Sequence, residues 1–289
     1  LVIAVGVWFG ISQYQANSFE MLAEDDEYPG ALASEVDTEG LEQKEPIPDL
    51  ANIKNDKAKP YFDGCHQQQG EAEVLICEYG TDQNYEHTVA LIGGSKAAHW
   101  LPALESFAEE EQIRILSVTK SGCRLSLDST QSSDCNVWNE NVIEEVSNEK
   151  PDLAVVLADT ASTEKVSEGF LKQFERLNDY GIDILGIRDT PYLDFDVPEC
   201  LSANGMRSEN CNTLADEVLS TPSSWENTEG TPSYVEYVDY TEYICPEGIC
   251  YAVVGNMVVY IDAAHMSAAF SETFGPIVKR DVMGILESE

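Results

Sequence analysis

Basic side chains are scarce in this 289-residue sequence. It has 16 lysines and arginines against 53 aspartates and glutamates, which gives a formal charge of −37. Such a surface repels nucleic-acid phosphates and anionic lipid head groups, so neither is expected as a partner. High solubility, as in a salty environment, is a sufficient explanation of the charge. The sequence also has no P-loop and no GxGxxG motif, which argues against a nucleotide site.

Histidine is also rare, with four residues, and no CxxC pair or Cys/His cluster has the spacing of zinc ligands. We therefore expect no metal and no other cofactor. Cysteine is present in an even number, eight. The eight residues fall into close pairs along the chain: Cys65 and Cys77, Cys123 and Cys135, Cys200 and Cys211, Cys245 and Cys250. Eight cysteines allow about 105 pairings, of which the sequential one closes four short loops and suits an exported domain.

Long hydrophobic runs are almost absent. The first eleven residues, LVIAVGVWFGI, are apolar, but a helix of that length rises only about 17 Å against about 30 Å of bilayer hydrocarbon. We interpret 1–11 as the end of a transmembrane helix, with a signal-peptide remnant as the alternative. Residues 12–60 are acidic and without a sustained apolar period, which predicts an extended linker. Residues 61–289 then form the folded domain.

Within that domain, apolar runs alternate with amphipathic segments. The pattern predicts strands over 87–94, 113–119, 151–159 and 182–189, with helices near 97–111, 137–150 and 167–181 between them. Further apolar segments follow at 234–241 and 252–260, and a final helix is predicted from about 265. This alternation is typical of an α/β fold, a three-layer, doubly wound parallel sheet. Ligands of such sheets bind beyond the carboxyl ends of the strands.

Ser95 lies at one of these ends. In LIGGSKAAHW, it follows an apolar run and two glycines and opens a predicted helix. The glycines permit a tight turn, and free amides at a helix start favour a developing negative charge. A nucleophile is one interpretation of this serine; an ordinary helix cap is the other.

A serine nucleophile needs a base, and His265 is the best candidate. It lies just beyond the apolar segment 252–260, and Asp262 precedes it by three residues. That spacing places both side chains on one face of a helical turn or tight loop. Asp262 can then hold one imidazole nitrogen and leave the other for Ser95. His87 faces the wrong end of its strand, and the neighbourhood of His99 is typical of packing.

Together these segments resemble the SGNH (GDSL-type) hydrolase superfamily. More narrowly, the sequence is similar to the extracytoplasmic SGNH domain fused behind the membrane acyltransferase-3 domain in bacterial cell-surface O-acyltransferases. The resemblance covers roughly 61–282. It is carried by the segments VALIGGSKAAHWLPALESFAEE, VTKSGCRL, PDLAVVLAD, GIDILGIRDTPYLDFDVPECL and YICPEGICYAVVGNMVVYIDAAHMSAAFSETFGP.

The resemblance implies a flavodoxin-like sheet and a catalytic triad. Ser95 would be the nucleophile, His265 the general base and then acid, and Asp262 the orienting carboxylate. The backbone amides of Ser95 and Gly122 would bind the oxyanion. The family's Gly-Asp-Ser-His motif is changed here to Gly93-Gly94-Ser95-Lys96, so the aspartate that braces the nucleophile loop is missing. The asparagine that completes the oxyanion site is also missing, because the corresponding segment reads LADTAS.

Two functions follow from these observations. The first is O-acetyl or other O-acyl transfer, or ester hydrolysis, on a cell-surface or cell-wall glycan through an acyl-serine. The acyl donor would be delivered by an upstream membrane acyltransferase domain, and the chain would be tethered by its N-terminus on the extracytoplasmic side of the cell membrane. The second is a catalytically degenerate SGNH-fold module that binds a glycan or a partner. The changed residues Gly94 and Lys96 favour the second function; the placement of the triad favours the first.

Overall fold

A seven-stranded sheet forms the centre of the molecule. The computed structural model describes residues 27–35 and 43–288. The sheet is built from β1 His66–Gln67, β2 Cys77–Gly80, β3 His87–Gly93, β4 Ile113–Lys120, β5 Leu153–Leu157, β6 Asp183–Ile187 and β8 Val235–Val238. Its order is β1-β4-β3-β5-β6-β8, with β2 antiparallel on the outer edge of β4 and all other pairings parallel. The five long parallel strands thus follow the order 2-1-3-4-5, which is the flavodoxin-like order.

Helices cover both faces of this sheet. In chain order they are α1 Pro60–Asp63, α2 Ser95–Ala98, α3 Leu101–Ala108, α4 Ser133–Asn148, α5 Glu168–Asp179, α6 Val197–Asn204, α7 Ala215–Val218, α8 Thr241–Ile244, α9 Ala268–Glu272 and α10 Gly275–Leu286. Shorter 3-10 turns occur at Gly30–Ser34, Ile53–Asn55, Glu209–Cys211 and Pro246–Gly248.

Alternation along β3 explains the layers. Val89 and Leu91 belong to the apolar core shared with α3 and α10, whereas Ala90 and Ile92 belong to the core under α4 and α5. Successive side chains of a strand point to opposite faces, so a continuous apolar run such as this one requires cover on both sides. The expected three-layer α/β fold is therefore present.

The segment 252–260 differs from the expectation of a further apolar strand. It folds into a two-stranded antiparallel hairpin apart from the central sheet, with β10 Val253–Val254 paired to β11 Met257–Val258. Gly255 and Asn256 at its tip both have positive φ, which is typical of a two-residue hairpin turn. The remaining short strands, β7 Thr213–Leu214 and β9 Ile249–Cys250, also pair with each other.

The segment 12–60 differs from the expectation of an extended linker in the parts that the structure describes. Ala31 and Ile53 have no exposed surface, and the carboxylate of buried Asp56 accepts a hydrogen bond from the Ala269 amide at 3.0 Å. The apolar residues that dock this segment are isolated within acidic sequence, so they form no period that predicts packing. Residues 1–11 and 12–26 lie outside the described residues.

Asp56 joins this segment to the start of α9, close in sequence to His265. Replacing Asp56 by alanine leaves the buried Ala269 amide without its acceptor, so we expect a loss of about 1–3 kcal/mol in the free energy of unfolding. Urea denaturation followed by circular dichroism measures this loss. Glu73→Ala, which removes an exposed carboxylate, is the matched control and should change stability by less than about 0.5 kcal/mol. Equal midpoints for the two variants would contradict the role given to Asp56.

Four disulfides join the cysteines in sequential pairs, as predicted: Cys65–Cys77, Cys123–Cys135, Cys200–Cys211 and Cys245–Cys250. No free cysteine remains. Among the described residues, no helix has both the length and the apolar character needed to cross a bilayer.

Candidate active site

Ser95 lies at the carboxyl end of β3 and is the first residue of α2. β3 pairs with β4 on one side and with β5 on the other, so the connections that follow β3 and β4 lead to opposite sides of β3. The carboxyl end of β3 is therefore the point where the strand order reverses, and ligands of such sheets usually bind there. Gly94 caps α2 and lies against the neighbouring loop. A Cβ at position 94 would come within 2.8 Å of the Cys123 carbonyl oxygen. Glycine is therefore required at this position by the close approach of two backbones.

Asp262, His265 and Ser95 form a continuous hydrogen-bonded chain. His265 Nε2 lies 2.8 Å from Ser95 Oγ, across 170 residues of sequence. His265 Nδ1 lies 2.8 Å from Asp262 Oδ2. The two residues of the DxxH motif meet in a tight loop, in which the Ile261 amide donates to the His265 carbonyl at 2.9 Å. A serine whose hydroxyl meets an imidazole held by a carboxylate can be activated as a nucleophile.

Asp262 is held ionised by its surroundings. Burial alone would raise the pKa of its carboxyl, but hydrogen bonds from His265 and from the Ala264 and His265 amides outweigh burial and lower the pKa to about 2. A permanent carboxylate fixes the orientation of the imidazole and stabilises the imidazolium that forms when Ser95 loses its proton. The His265 side chain is 29% exposed, so a ligand has access to it.

Gly122 lies beside the nucleophile, in the loop after β4. Its φ of +62° is left-handed, and a Cβ there would lie 2.6 Å from the side-chain nitrogen of Gln69. Both conditions favour glycine. Within the described part of the chain, the backbone amides of Ser95 and Gly122 donate to no protein acceptor. Both residues line one cavity, and two free amides at such a place are suited to an oxyanion.

Lys96 is neither free nor solvated. Its ammonium donates to the Thr190 carbonyl at 2.6 Å and lies 3.1 Å from Asp189 Oδ1. It also lies 5.9 Å from the centre of the Tyr192 ring. The lysine thus connects the nucleophile turn to the loop after β6, and Asp189 neutralises the charge of its ammonium. Asp189 was not predicted from the sequence, since no local pattern connects it with Lys96, 93 positions earlier.

Asp159 stands where the family's asparagine is expected, but it does not line the cavity that contains Ser95. The residue is 1% exposed, and its carboxylate accepts hydrogen bonds from the Asp189 amide and the Ser224 hydroxyl. Burial raises the pKa of this carboxyl. Asp159 therefore braces the loop that carries Asp189, and it does not place a negative charge beside the oxyanion.

The other histidines have different environments. His99 is buried, and its Nδ1 accepts from the Met266 amide at 3.3 Å, so it supports the loop that carries His265. His66, in β1, forms a hydrogen bond with the Thr119 hydroxyl at 3.0 Å, and its ring packs at a tilt against that of Tyr61. His87 begins β3 at the opposite edge of the sheet.

Tyr61 is a residue that sequence reasoning missed. Burial raises the pKa of its hydroxyl to about 12; the charge of Asp262 acts in the same direction, and a hydrogen bond with Ser95 opposes both. Tyr61 therefore adjoins the nucleophile. No local pattern in PYFD indicates this role.

A cavity of about 330 Å³ opens above Ser95 and His265. The other side chains on its wall include Lys96, Arg124, Phe170, Asp189 and Tyr192. Tyr192 is 63% exposed, whereas Trp100 and Trp138 belong to the core. No group of three or more potential metal ligands occurs among the described residues. The cavity thus combines a hydroxyl–imidazole–carboxylate chain, two free amides and an exposed aromatic ring.

Comparison with known proteins agrees with this architecture. A comparison with curated proteins gives no significant match. Among solved structures, the fold is similar to that of the Salmonella ser. Paratyphi A lipopolysaccharide acetyltransferase periplasmic domain, with a TM-score of 0.56 and 17% sequence identity over 82% of this chain and 98% of the other. A family model described as "SGNH domain (fused to AT3 domains)" matches residues 64–280. The match spans most of the chain, and the protein therefore belongs to this SGNH domain family.

Proposed function

We propose that this chain transfers acyl groups to hydroxyl oxygens through an acyl-Ser95 intermediate. The observation that carries the proposal is the chain from Asp262 through His265 to Ser95 Oγ, with both distances at 2.8 Å. A degenerate binding domain has no need to keep three side chains in this order. The family description, with its fusion to acyltransferase domains, supports the same chemistry.

The proposed reaction has two acyl transfers that use the same base. Ser95 Oγ attacks the acyl carbonyl carbon while its proton passes to His265 Nε2, and the amides of Ser95 and Gly122 bind the resulting oxyanion. Collapse of this intermediate expels the donor's leaving group, which takes the proton from His265. An acceptor hydroxyl then gives its proton to His265 and attacks the acyl-serine. The bond between the acyl carbon and Ser95 Oγ breaks, and Ser95 Oγ takes the proton back from His265. Water in place of the acceptor gives ester hydrolysis.

The acceptor that we propose is a sugar hydroxyl of a cell-surface or cell-wall glycan. The solved structure with a similar fold is that of a lipopolysaccharide acetyltransferase domain, and the cavity beside Ser95 is open and bordered by the exposed ring of Tyr192. Aromatic rings at the mouth of a cleft suit the apolar face of a sugar. Acetyl is the acyl group that this neighbour suggests.

The location that we propose is extracytoplasmic. Four disulfides are typical of oxidising compartments, and all four are formed here. The donor would come from a membrane acyltransferase domain of the kind to which the family is fused. We further propose that 1–11 is the end of a transmembrane helix that tethers residues 61–289, although these eleven residues lie outside the described part.

A fluorophosphonate probe tests the nucleophile directly. We expect stoichiometric labelling of wild-type protein, with the adduct on the peptide that contains Ser95, and no labelling of Ser95→Ala, because the probe requires an activated serine. Mass spectrometry of the digested protein locates the adduct. Ser162→Ala removes another serine that lines the same cavity and should be labelled like the wild type. Absence of label in the wild type, with p-nitrophenyl acetate hydrolysed equally by Ser95→Ala, would favour the binding module.

A further inference from the structure

The guanidinium of Arg124 stands out among the arginines of this chain. All 16 lysines and arginines lie within the described residues, and five of the six arginines bind protein acceptors. These are Arg114 with Glu78 and Glu149, Arg176 with Asn139 and Gln173, Arg188 with Asp239, Arg207 with Asn256, and Arg280 with Glu35. Arg124 has no side-chain partner among the described residues. In a chain of net charge −37, an unpaired guanidinium is unexpected.

The backbone that presents Arg124 is firmly held. Its amide donates to Gln131 Oε1 at 2.8 Å, and its carbonyl accepts from Asn139 Nδ2 at 2.9 Å. The preceding residue is Cys123, which is joined to Cys135 in α4. The Arg124 side chain is exposed, but the backbone that carries it is held in place by these contacts. A recognition group on such a base loses less entropy on binding than one on a mobile loop.

Arg124 also lies in the right place to contact a substrate. It lines the same cavity as Ser95 and His265, two residues beyond the proposed oxyanion donor Gly122. The neighbouring cavity, which shares Tyr192, has the carboxylates of Asp194 and Glu217 on its wall. The two cavities that share Tyr192 therefore differ in the sign of their unpaired charge. An anionic ligand is favoured in the cavity with Arg124 and disfavoured in the cavity with Asp194 and Glu217.

We propose that Arg124 binds an anionic group of the acceptor, either a carboxylate or a phosphate, so that the substrate is an acidic glycan. This inference rests on the proposed function, because it takes the cavity beside Ser95 as the acceptor site. A guanidinium matches both groups through two parallel hydrogen bonds. Repulsion from the acidic surface does not prevent this contact, since charges beyond about 8 Å are screened at physiological ionic strength.

Binding to protein with Ser95→Ala, which removes the reaction, tests the proposal. Isothermal titration calorimetry would compare an oligogalacturonate, its neutral methyl ester and a glycerol-phosphate-substituted oligosaccharide. The oligogalacturonate reports carboxylate recognition and the third ligand reports phosphate recognition. We expect at least one acidic ligand to bind at least tenfold more tightly than the neutral one. Adding Arg124→Gln should remove that preference, and Arg124→Lys should retain part of it.

Lys150→Gln is the matched control, because it removes one positive charge near the start of β5, at the opposite edge of the sheet, and should leave the preference unchanged. The proposal is overturned if neither acidic ligand binds better than the neutral one, or if Arg124→Gln weakens both kinds equally. These readouts need no catalysis. The two proposals can therefore fail separately. If acidic ligands are preferred through Arg124 but the fluorophosphonate probe does not label Ser95 of the wild type, only the acyl-transfer function is contradicted.

Discussion

His265→Ala should lower kcat/KM for p-nitrophenyl acetate hydrolysis by about four to six orders of magnitude. His265 Nε2 is 2.8 Å from Ser95 Oγ, and among the described residues no other histidine and no carboxylate forms a hydrogen bond to this hydroxyl. Without a base, the serine hydroxyl attacks as a neutral alcohol. Losses of this size are typical when one member of such a triad is removed.

Asp262→Asn tests the other end of the hydrogen-bonded chain that runs from Asp262 through His265 to Ser95. Asparagine keeps the shape of the side chain but can donate to His265 Nδ1, which places the imidazole proton on Nε2, facing Ser95. We expect a loss of about a thousandfold or more. Because the pKa of Asp262 is about 2, its carboxylate stays charged throughout the neutral range, and no loss of activity between pH 5 and 8 should come from its titration.

The control for both variants is His87→Ala, at the far end of β3. It removes a histidine without touching the site, and its kcat/KM should stay within about twofold of the wild type. Initial rates at several substrate concentrations give kcat and KM separately. Activity of His265→Ala near the wild-type level would contradict the proposed role of the imidazole and would point to hydrolysis elsewhere on the surface.

Gly94→Asp should inactivate the protein although it restores the residue that the family's motif usually has. A Cβ at position 94 would meet the Cys123 carbonyl oxygen at 2.8 Å and its carbonyl carbon at 3.4 Å. Both are backbone atoms next to a disulfide, so neither can move aside cheaply. The turn with Ser95, or the loop with Gly122, must shift instead. A displacement near 1 Å costs about a hundredfold in rate, and we expect at least that loss in kcat.

Gly94→Ala separates the backbone contact from the new charge. It adds only the Cβ, so it should lose most of the activity that Gly94→Asp loses. Gly284→Ala is the control, because a Cβ at Gly284 in α10 meets nothing within 4 Å. It should keep full activity and stability. Higher activity in Gly94→Asp than in the wild type would show that this glycine is a defect of the motif and not an adaptation to the Cys123 loop.

Much of the site was predictable because its signals are local. The strand before Ser95 is a continuous apolar run, and the two glycines and serine follow it directly. The DxxH spacing of Asp262 and His265 brings both side chains to one side of a short loop. The disulfides also follow proximity, since none of the four joins cysteines more than 12 residues apart.

The hydrophobic pattern of the sequence did not predict the structure where apolar residues are isolated, or where one pattern is compatible with two structures. Ala31 and Ile53 are buried and hold parts of the predicted linker against the domain. Single apolar residues within acidic sequence are also common in exposed coil, so the sequence does not indicate that they are buried. The run 252–260 has the composition of a sheet strand, but Gly255 and Asn256 turn it back on itself.

The sequence by itself therefore determined the α/β alternation, the sequential cysteine pairing and the candidate Ser95, Asp262 and His265. These follow from periodicity and spacing, which act over a few residues. Tertiary structure alone decided that Lys96 pairs with Asp189, that Gly94 makes room for the Cys123 backbone, and that Arg124 is left unpaired beside the nucleophile. Such outcomes depend on which distant segments come within a few ångströms of each other, and the packing of the whole sheet and its loops sets those distances.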